Sequence, residues 1–372
     1  MNMKIMPTIF IVPTGIGCEI GGFAGDALPS AKLLASASGC LITHPNVMNG
    51  GTLSEIDDRI LYLEGYSLDR FAKGELGLKK VNQQKIGIIF DSDIEKNLLT
   101  RHLQVADACI STLGINVCSY AITNNPIGVV ISNKISGTSS GYIKNPKELI
   151  NAAKRLIKEG ITSIAIVTKF PDNLDSHDIE LYRKGNGVDS IAGVEAVISH
   201  LISKYLRVPC AHAPALPQID VEESLDPRAA SEEIGFTFLP SVLIGLSKAP
   251  NLIELPSQGI SDILYPNQVE ALIVPYGALG GEAVLASMER GVNIISVKNR
   301  NRLIKYLHSN NIECKIHYPI PLHLQKPGIK LGYKKGDFPI AERQAKEIIT
   351  LPCHQYLNKN QIFYTIEKII NF

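Results

Sequence analysis

Short apolar runs recur along this chain, and nearly every one ends in Pro, Gly, Asp, Asn or Lys. Runs of this kind predict buried β-strands over Thr8–Val12, Cys40–Thr43, Lys85–Phe90, Asn116–Thr123 and Ser163–Thr168. Val208–Ala215 reads as a short strand or a loop. Between the runs, helical periodicity predicts helices over Ala27–Ala37, Glu95–Leu113, Pro146–Glu159, Ile191–Tyr205 and Asp226–Ile234. Their ends carry matching punctuation: Pro29 and Pro146 in first turns, Gly114 and Gly160 just past last turns. Thr52–Lys80 is mixed, Tyr182–Asp189 is a polar turn-rich loop, and Gly235–Leu246 is apolar. Asn124–Asn145, rich in Asn, Ser and Gly, is either a hairpin or a mobile loop over a site. Strands alternating with helices predict an α/β fold: a largely parallel sheet with helices on both faces, plus a small C-terminal α/β appendage.

Two segments break this rhythm with glycine. After the first strand come Gly15, Gly17, Gly21, Gly22 and Gly25, and Asp26 is a candidate N-cap for the helix that follows. Near the other end, Ala271–Val297 repeats the layout with Gly277, Gly280 and Gly281. A strand, a glycine turn and a helix together aim backbone N–H groups at an anion. The alternative is that these glycines only make tight turns. No Gly-Lys-Ser/Thr occurs, and Ile20 stands where a dinucleotide fingerprint needs glycine, so nucleotide specificity is not implied.

Ligands of open α/β sheets bind beyond the carboxyl ends of the strands. That rule nominates Thr14, Gly15, Gly17, Glu19, Gly22, Asp26, Asn46, Gly277, Gly280 and Gly281 as ligand-binding residues. It nominates His44, Asp91 and His212 for acid–base work. Each has a plain alternative. His44 is also a solvated turn histidine, Asp91 with Asp93 a helix cap, and His212, amid small residues, a hydrogen-bonded core histidine. Cys210 is a nucleophile only if its pKa is lowered, and His200 reads as structural. Glu282 either orients a ligand or caps a helix, and Arg228 with Glu232 and Glu233 reads as a solvated helix face.

The 372 residues carry a formal net charge of +1, which leaves no electrostatic footprint for nucleic acid or an acidic membrane. No apolar run approaches the roughly 20 residues of a membrane span. The N-terminus lacks the h-region and cleavage site of a secretory signal. Seven scattered cysteines form no Cys-x-x-Cys pair, so reduced thiols and a cytoplasmic or plastid-stromal location are the expectation. No ligand-spaced His or carboxylate pair points to a metal.

Two resemblances divide the chain. Residues from about 7 to 298 resemble a cyanobacterial and plastid family catalogued as domain of unknown function 3326. The match rests on PTGIGCEIGGFAGDALPSAKLLASA, LITHPNVMNGG, EGYSLDRFAKGELGL, RHLQVADA, GVEAVISHLI, VPCAHAPAL, RAASEEIGFTFLPSVLIGLSKAP and GGEAVLASMERGV. That family implies no activity. From about Lys298 the chain resembles the C-terminal end of DegT/DnrJ/EryC1/StrS sugar aminotransferases. The segments Arg300–Leu307, His317–Gln325, Leu331–Glu342 and Leu351–His354 carry this match, with His317, His323 and Arg343 inside the motif. Those enzymes use pyridoxal phosphate, but the resemblance omits the large domain with the Schiff-base lysine. Pyridoxal phosphate is therefore not expected, and the cofactor stays unknown.

The expectation is an α/β domain over 1–298 and an aminotransferase-like fragment over 299–372. The first part would act as an enzyme on, or a binding protein for, a small anionic metabolite, phosphorylated or not. The alternatives are an aminotransferase relative without catalysis and a non-catalytic sensing or interaction protein, with homo-oligomer formation left open. The basic run Lys326–Lys335 reads as a solvated loop.

Overall fold

The architecture comes from a computed structural model, which describes residues 5–13, 27–48, 57–133, 139–171, 176–184, 189–216, 221–226, 229–230, 238–257, 260–297, 300–317, 319–352 and 356–370. Thr14, Gly15, Gly17, Glu19, Gly22 and Asp26 lie outside the described residues, as do Arg228, Glu232, Glu233 and most of the helix expected over Asp226–Ile234. The chain divides into two compact units, residues 1–294 and 295–372.

The first unit opens with β1 (Thr8–Phe10), α1 (Leu28–Ser38), β2 (Leu41–Thr43) and α2 (Pro45–Met48). Pro29 sits in the first turn of α1, and Gly39 closes it in the left-handed conformation, φ 72°. The mixed segment resolves into β3 (Ile60–Tyr62), α3 (Gly65–Ala72) and β4 (Leu76–Lys79). Then come β5 (Ile86–Phe90), α4 (Lys96–Leu113), β6 (Val117–Ile122), β7 (Val129–Asn133) and β8 (Ser139–Ile143). They are followed by α5 (Pro146–Lys158), β9 (Ser163–Lys169), α6 (Ser176–Arg183), α7 (Ala192–Leu206), β10 (Cys210–Ala215) and α8 (Leu239–Ser247). The unit closes with β11 (Asn251–Glu254), β12 (Ile263–Leu264), β13 (Ala271–Pro275) and α9 (Glu282–Glu289), and the chain passes into the second unit within β14 (Asn293–Val297).

These strands form two parallel sheets where the alternation suggested one. The first runs β14-β13-β1-β2-β3, the second β10-β9-β5-β6. The reason is β4. It leaves the parallel ladder and pairs antiparallel with β11 and β12, so β5 starts a new sheet. Of the two readings of Asn124–Asn145, the hairpin is the one present, as antiparallel β7–β8. Val208–Ala215 is a full strand, and the loop expected over Tyr182–Asp189 begins only after α6 has run to Arg183.

Each sheet has its own core. Ile9, Ile42, Leu61 and Leu272 of the first pack with Leu68 and Phe71 of α3 and Val284 of α9. In the second, Ile89, Ile164 and Ile166 pack with Leu149 and Leu156 of α5 and with Val194, Ile198 and Ile202 of α7. Helix α8 packs on β5, β9 and β10, and α4 packs against α8. Each large side chain buried this way contributes about 1.5–3 kcal/mol.

One topological fact positions the site. β1 lies between β13 and β2, parallel to both, with Thr8 opposite Ala271 and Leu41. Pro13, Tyr276–Gly281 and His44 therefore stand at the same carboxyl edge of the first sheet.

The second unit comprises α10 (Arg300–Ser309), α11 (Lys326–Lys330), α12 (Pro339–Glu347) and α13 (Lys359–Ile370). Leu307, Ile312 and Cys314 form its core, with Ile349 and Ile369 against them. The basic run is a correction: Lys326–Lys330 forms helix α11 rather than a loop.

Candidate functional site

At the carboxyl edge of the first sheet, side chains of the β2 tip grip the end of β1. Thr43 Oγ1 donates to the Phe10 carbonyl at 2.8 Å, and Asn46 Nδ2 donates to the Val12 carbonyl at 2.8 Å. The Val12 N–H donates to His44 Nε2 at 3.0 Å. An accepting Nε2 carries no proton, so the neutral ring holds its proton on Nδ1. Burial lowers the His44 pKa to about 4, which keeps it neutral. His44 and Asn46 are thus committed to the backbone, a tie not foreseen for either residue. Asn46 is buried as well, where a ligand contact was expected.

Beside this latch lies a cavity of about 290 Å³. Ile11 and Pro13 after β1 line it, with His44 after β2 and Gly65, Leu68 and Asp69 from α3. Across from them stand Ala278, Gly280 and Gly281 from the turn after β13, and Glu282, Ala283 and Val284 of α9. Gly277 sits in the single 3-10 turn Tyr276–Ala278 of the same segment. The tight-turn explanation fails for Gly280: its φ is not left-handed, and a Cβ there would meet nothing within 4 Å. A Cβ on Gly281 would meet only Val284, at 3.9 Å. Fold and packing demand glycine at neither position, yet both border open space.

The charged groups of this cavity are carboxyls. Burial, then the nearby Glu282, pushes the Asp69 pKa up to about 6, with the Ala283 N–H at the start of α9 acting in the opposite direction. Glu282 is ion-paired with Lys73. Arg70 reaches Glu75 at 2.7 Å. Asp69 was missed in the sequence because an acid in mid-helix reads as a solvated face.

The second sheet holds the other two nominated catalytic residues, so they are not part of this cavity. Asp91 is buried, and its Oδ1 accepts the N–H groups of Ile127 at 3.0 Å and Asp93 at 3.3 Å. Its carboxylate acts as a bracket for the loop before β7 and for its own turn. His212 Nδ1 lies 3.0 Å from Glu195 Oε1, and its Nε2 lies 2.7 Å from Thr168 Oγ1. This is the hydrogen-bonded core histidine among the two readings, and burial lowers its pKa to about 3.

Glu195 belongs to a larger group of acids that the sequence did not flag. Burial pushes Glu195 up to about 8, and burial with Glu195 nearby pushes Asp189 up to about 7. Glu64 is also raised to about 8 by burial, although Ser199 Oγ (3.2 Å) and Tyr62 OH (3.3 Å) donate to it. His200 Nε2 accepts the Tyr66 N–H at 3.0 Å, the structural role expected of it. Burial raises the Cys210 thiol well above its ordinary range, which removes it as a nucleophile.

In the second unit, a cavity of about 410 Å³ is lined by His317, Leu322, His323, Phe338 and neighbours. His323 is tied to Glu342 at 3.0 Å and His317 to Thr350 at 2.8 Å. Among the described residues no group of three or more His, Cys, Asp or Glu could hold a metal ion. None of the described helices is long and apolar enough to cross a membrane.

Comparison with known proteins gives two family matches that overlap over residues 284–323. Residues 284–370 match the DegT/DnrJ/EryC1/StrS aminotransferase family. The chain is 41% identical over 78 residues to a pleiotropic regulatory protein of Geobacillus stearothermophilus. It is 32% identical over 76 residues to a dTDP-3-amino-3,6-dideoxy-alpha-D-galactopyranose transaminase of Aneurinibacillus thermoaerophilus. The chain covers only 21% and 20% of those two proteins. By contrast, it is 44% identical over 338 residues to an uncharacterized lipoprotein of Synechococcus sp., covering 91% of this chain and 93% of that one. Residues 7–323 match the profile described as protein of unknown function, DUF3326, and it is to this family that the chain belongs.

Proposed function

We propose that the first unit binds a small metabolite through an anionic group, carboxylate or phosphate, at the carboxyl edge of its first sheet. The carrying observation is the open space beside Gly280 and Gly281, two glycines that neither backbone strain nor packing explains. A glycine without such a reason lets a ligand approach the main chain. The first N–H groups of α9 have no partner within the helix and point toward its N-terminus, where negative charge is favoured. Asp69 lies by the one from Ala283, so the ligand's anion would meet those nearer the turn. Asp69 is the titratable group at hand for proton transfer. The aminotransferase-like segment does not bring transaminase activity with it, since it spans about a fifth of those relatives. The five described cysteines are free thiols, which favours a reducing compartment.

The test is thermal stability in the presence of phosphorylated and carboxylated metabolites at millimolar concentration. Ligands at about 100 times their Kd stabilise by about 2.7 kcal/mol. Gly280→Val fills the space and should abolish the shift, while the ligand-free protein stays within about 0.5 kcal/mol of wild type. If no anion shifts the wild-type protein, the reading fails.

A further inference from the structure

Asp69 is placed oddly for a cavity that takes only an anion. Among the described residues, the wall contains the carboxyls of Asp69 and Glu282 and no Lys or Arg. Every cationic group around Asp69 is engaged elsewhere or neutral. On its own helix, Lys73 is paired with Glu282, and Arg70 reaches Glu75 and the Tyr66 hydroxyl. From α7, His200 uses Nε2 to accept a backbone N–H, and burial lowers its pKa. From β2, His44 is held neutral in the same way. From α9 comes only the like charge of Glu282. A bare anion in this cavity would face the Asp69 carboxylate, offset only by Lys73 and Arg70, which have partners of their own, in a cavity that Ile11, Leu68 and Val284 also line.

We infer that the ligand is a zwitterion whose anionic end meets the turn at Gly280 and Gly281 and whose ammonium group pairs with the Asp69 carboxylate. This deepens the function proposed above and rests on it. It gives Asp69 a direct counter-charge that none of the described residues of the wall supplies. Such a pair would lower the Asp69 pKa from about 6, so binding near that pH releases a proton.

Calorimetry on the full chain compares 2-aminoethyl and 3-aminopropyl phosphate with ethyl and propyl phosphate. The amino compounds should bind at least about tenfold tighter at pH 7.5, the equivalent of one modest ion pair. The phosphate of every probe titrates near pH 6 as well, so the reading is a difference: at pH 6 the amino compounds should release up to about half a proton more than the alkyl phosphates, read from the dependence of heat on buffer ionisation. Asp69→Asn, which keeps the shape of the side chain, should bring the ratio near one and remove the excess proton release. Asp107→Asn, on the exposed face of α4, should change neither. If ethyl or propyl phosphate binds as well as its amino counterpart, the ammonium contact is refuted and the anion site stands. If ethylamine and propylamine match the aminoalkyl phosphates, the zwitterion is refuted together with the anion site. If none of these compounds binds, both proposals are overturned.

Discussion

Glu64 and Glu195 sit where water is largely excluded, and burial pushes each carboxyl up to about 8. A carboxyl with a folded pKa above its unfolded value binds more protons in the folded state. Its contribution is fully present below about pH 4.5 and is lost as pH rises through about 8. His212 works in the opposite direction. Its pKa is depressed to about 3, so the unfolded chain takes up the proton first, and stability falls as pH drops from about 6.5 toward 3. Stability should therefore be greatest in mildly acidic solution. Glu64→Gln and Glu195→Gln keep hydrogen-bonding capacity and remove the titration. Each should reduce the loss of stability between pH 5 and pH 8 by about 1 kcal/mol or more. Thermal or urea unfolding at pH 5, 6.5 and 8 checks this, and slopes equal to wild type would refute it. His212→Ala leaves the buried Thr168 and the half-buried Glu195 without their shared partner and should cost about 2–4 kcal/mol.

The first turn of α7 meets the β7–β8 hairpin more closely than any side chain allows. A Cβ on Gly193 would come within 2.4 Å of the Ser139 carbonyl oxygen, and one on Gly141 within 2.4 Å of the Val130 oxygen. Both contacts are with backbone, which cannot swing aside as a flexible side chain can. Gly193→Ala should therefore destabilise by about 1–3 kcal/mol, the usual cost of overpacking. Gly280→Val, a larger change, should cost far less. Urea titration of the two variants side by side separates a packing glycine from a cavity glycine, and equal losses would contradict the distinction. Sequence pattern alone does not separate these two kinds, because both appear as glycine beside a helix start. It does reveal α1, α4 and α5, whose ends are marked by Pro and Gly. It misses β3, three apolar residues too few to show alternation, and it misses the change of sheet at β4. Strand composition records burial, not which neighbour supplies the ladder. His44 and Gly280 were legible as residues of the first sheet's carboxyl edge because they come in the turns after β2 and β13. Asp69 was not, since its burial depends on α9, which arrives from a distant part of the chain.

The residues that line the candidate cavity all lie between Ile11 and Val284, and the cores of both parallel sheets lie within residues 1–294. The second unit has its own small core, built on Leu307, Ile312 and Cys314. A core shared by few side chains contributes little to a neighbour's stability, and each unit should lean mainly on its own buried surface. Ending the chain at residue 302 removes 303–372 but keeps β14 (Asn293–Val297) at the edge of the first sheet. The shortened protein should unfold cooperatively, with a melting temperature within about 5 °C of the first unit's transition in the full chain. It should also retain whatever ligand-induced shift the full chain shows. Residues 303–372 contribute none of the described residues of the cavity. For the same reason, borohydride reduction after adding pyridoxal phosphate should trap no stoichiometric adduct on a single lysine in either form. A shortened chain that aggregates, or that folds but loses the ligand response, would assign the second unit a structural or ligand-binding part in the first. Peptide mapping that found one lysine fully modified would restore transaminase-type chemistry to the chain.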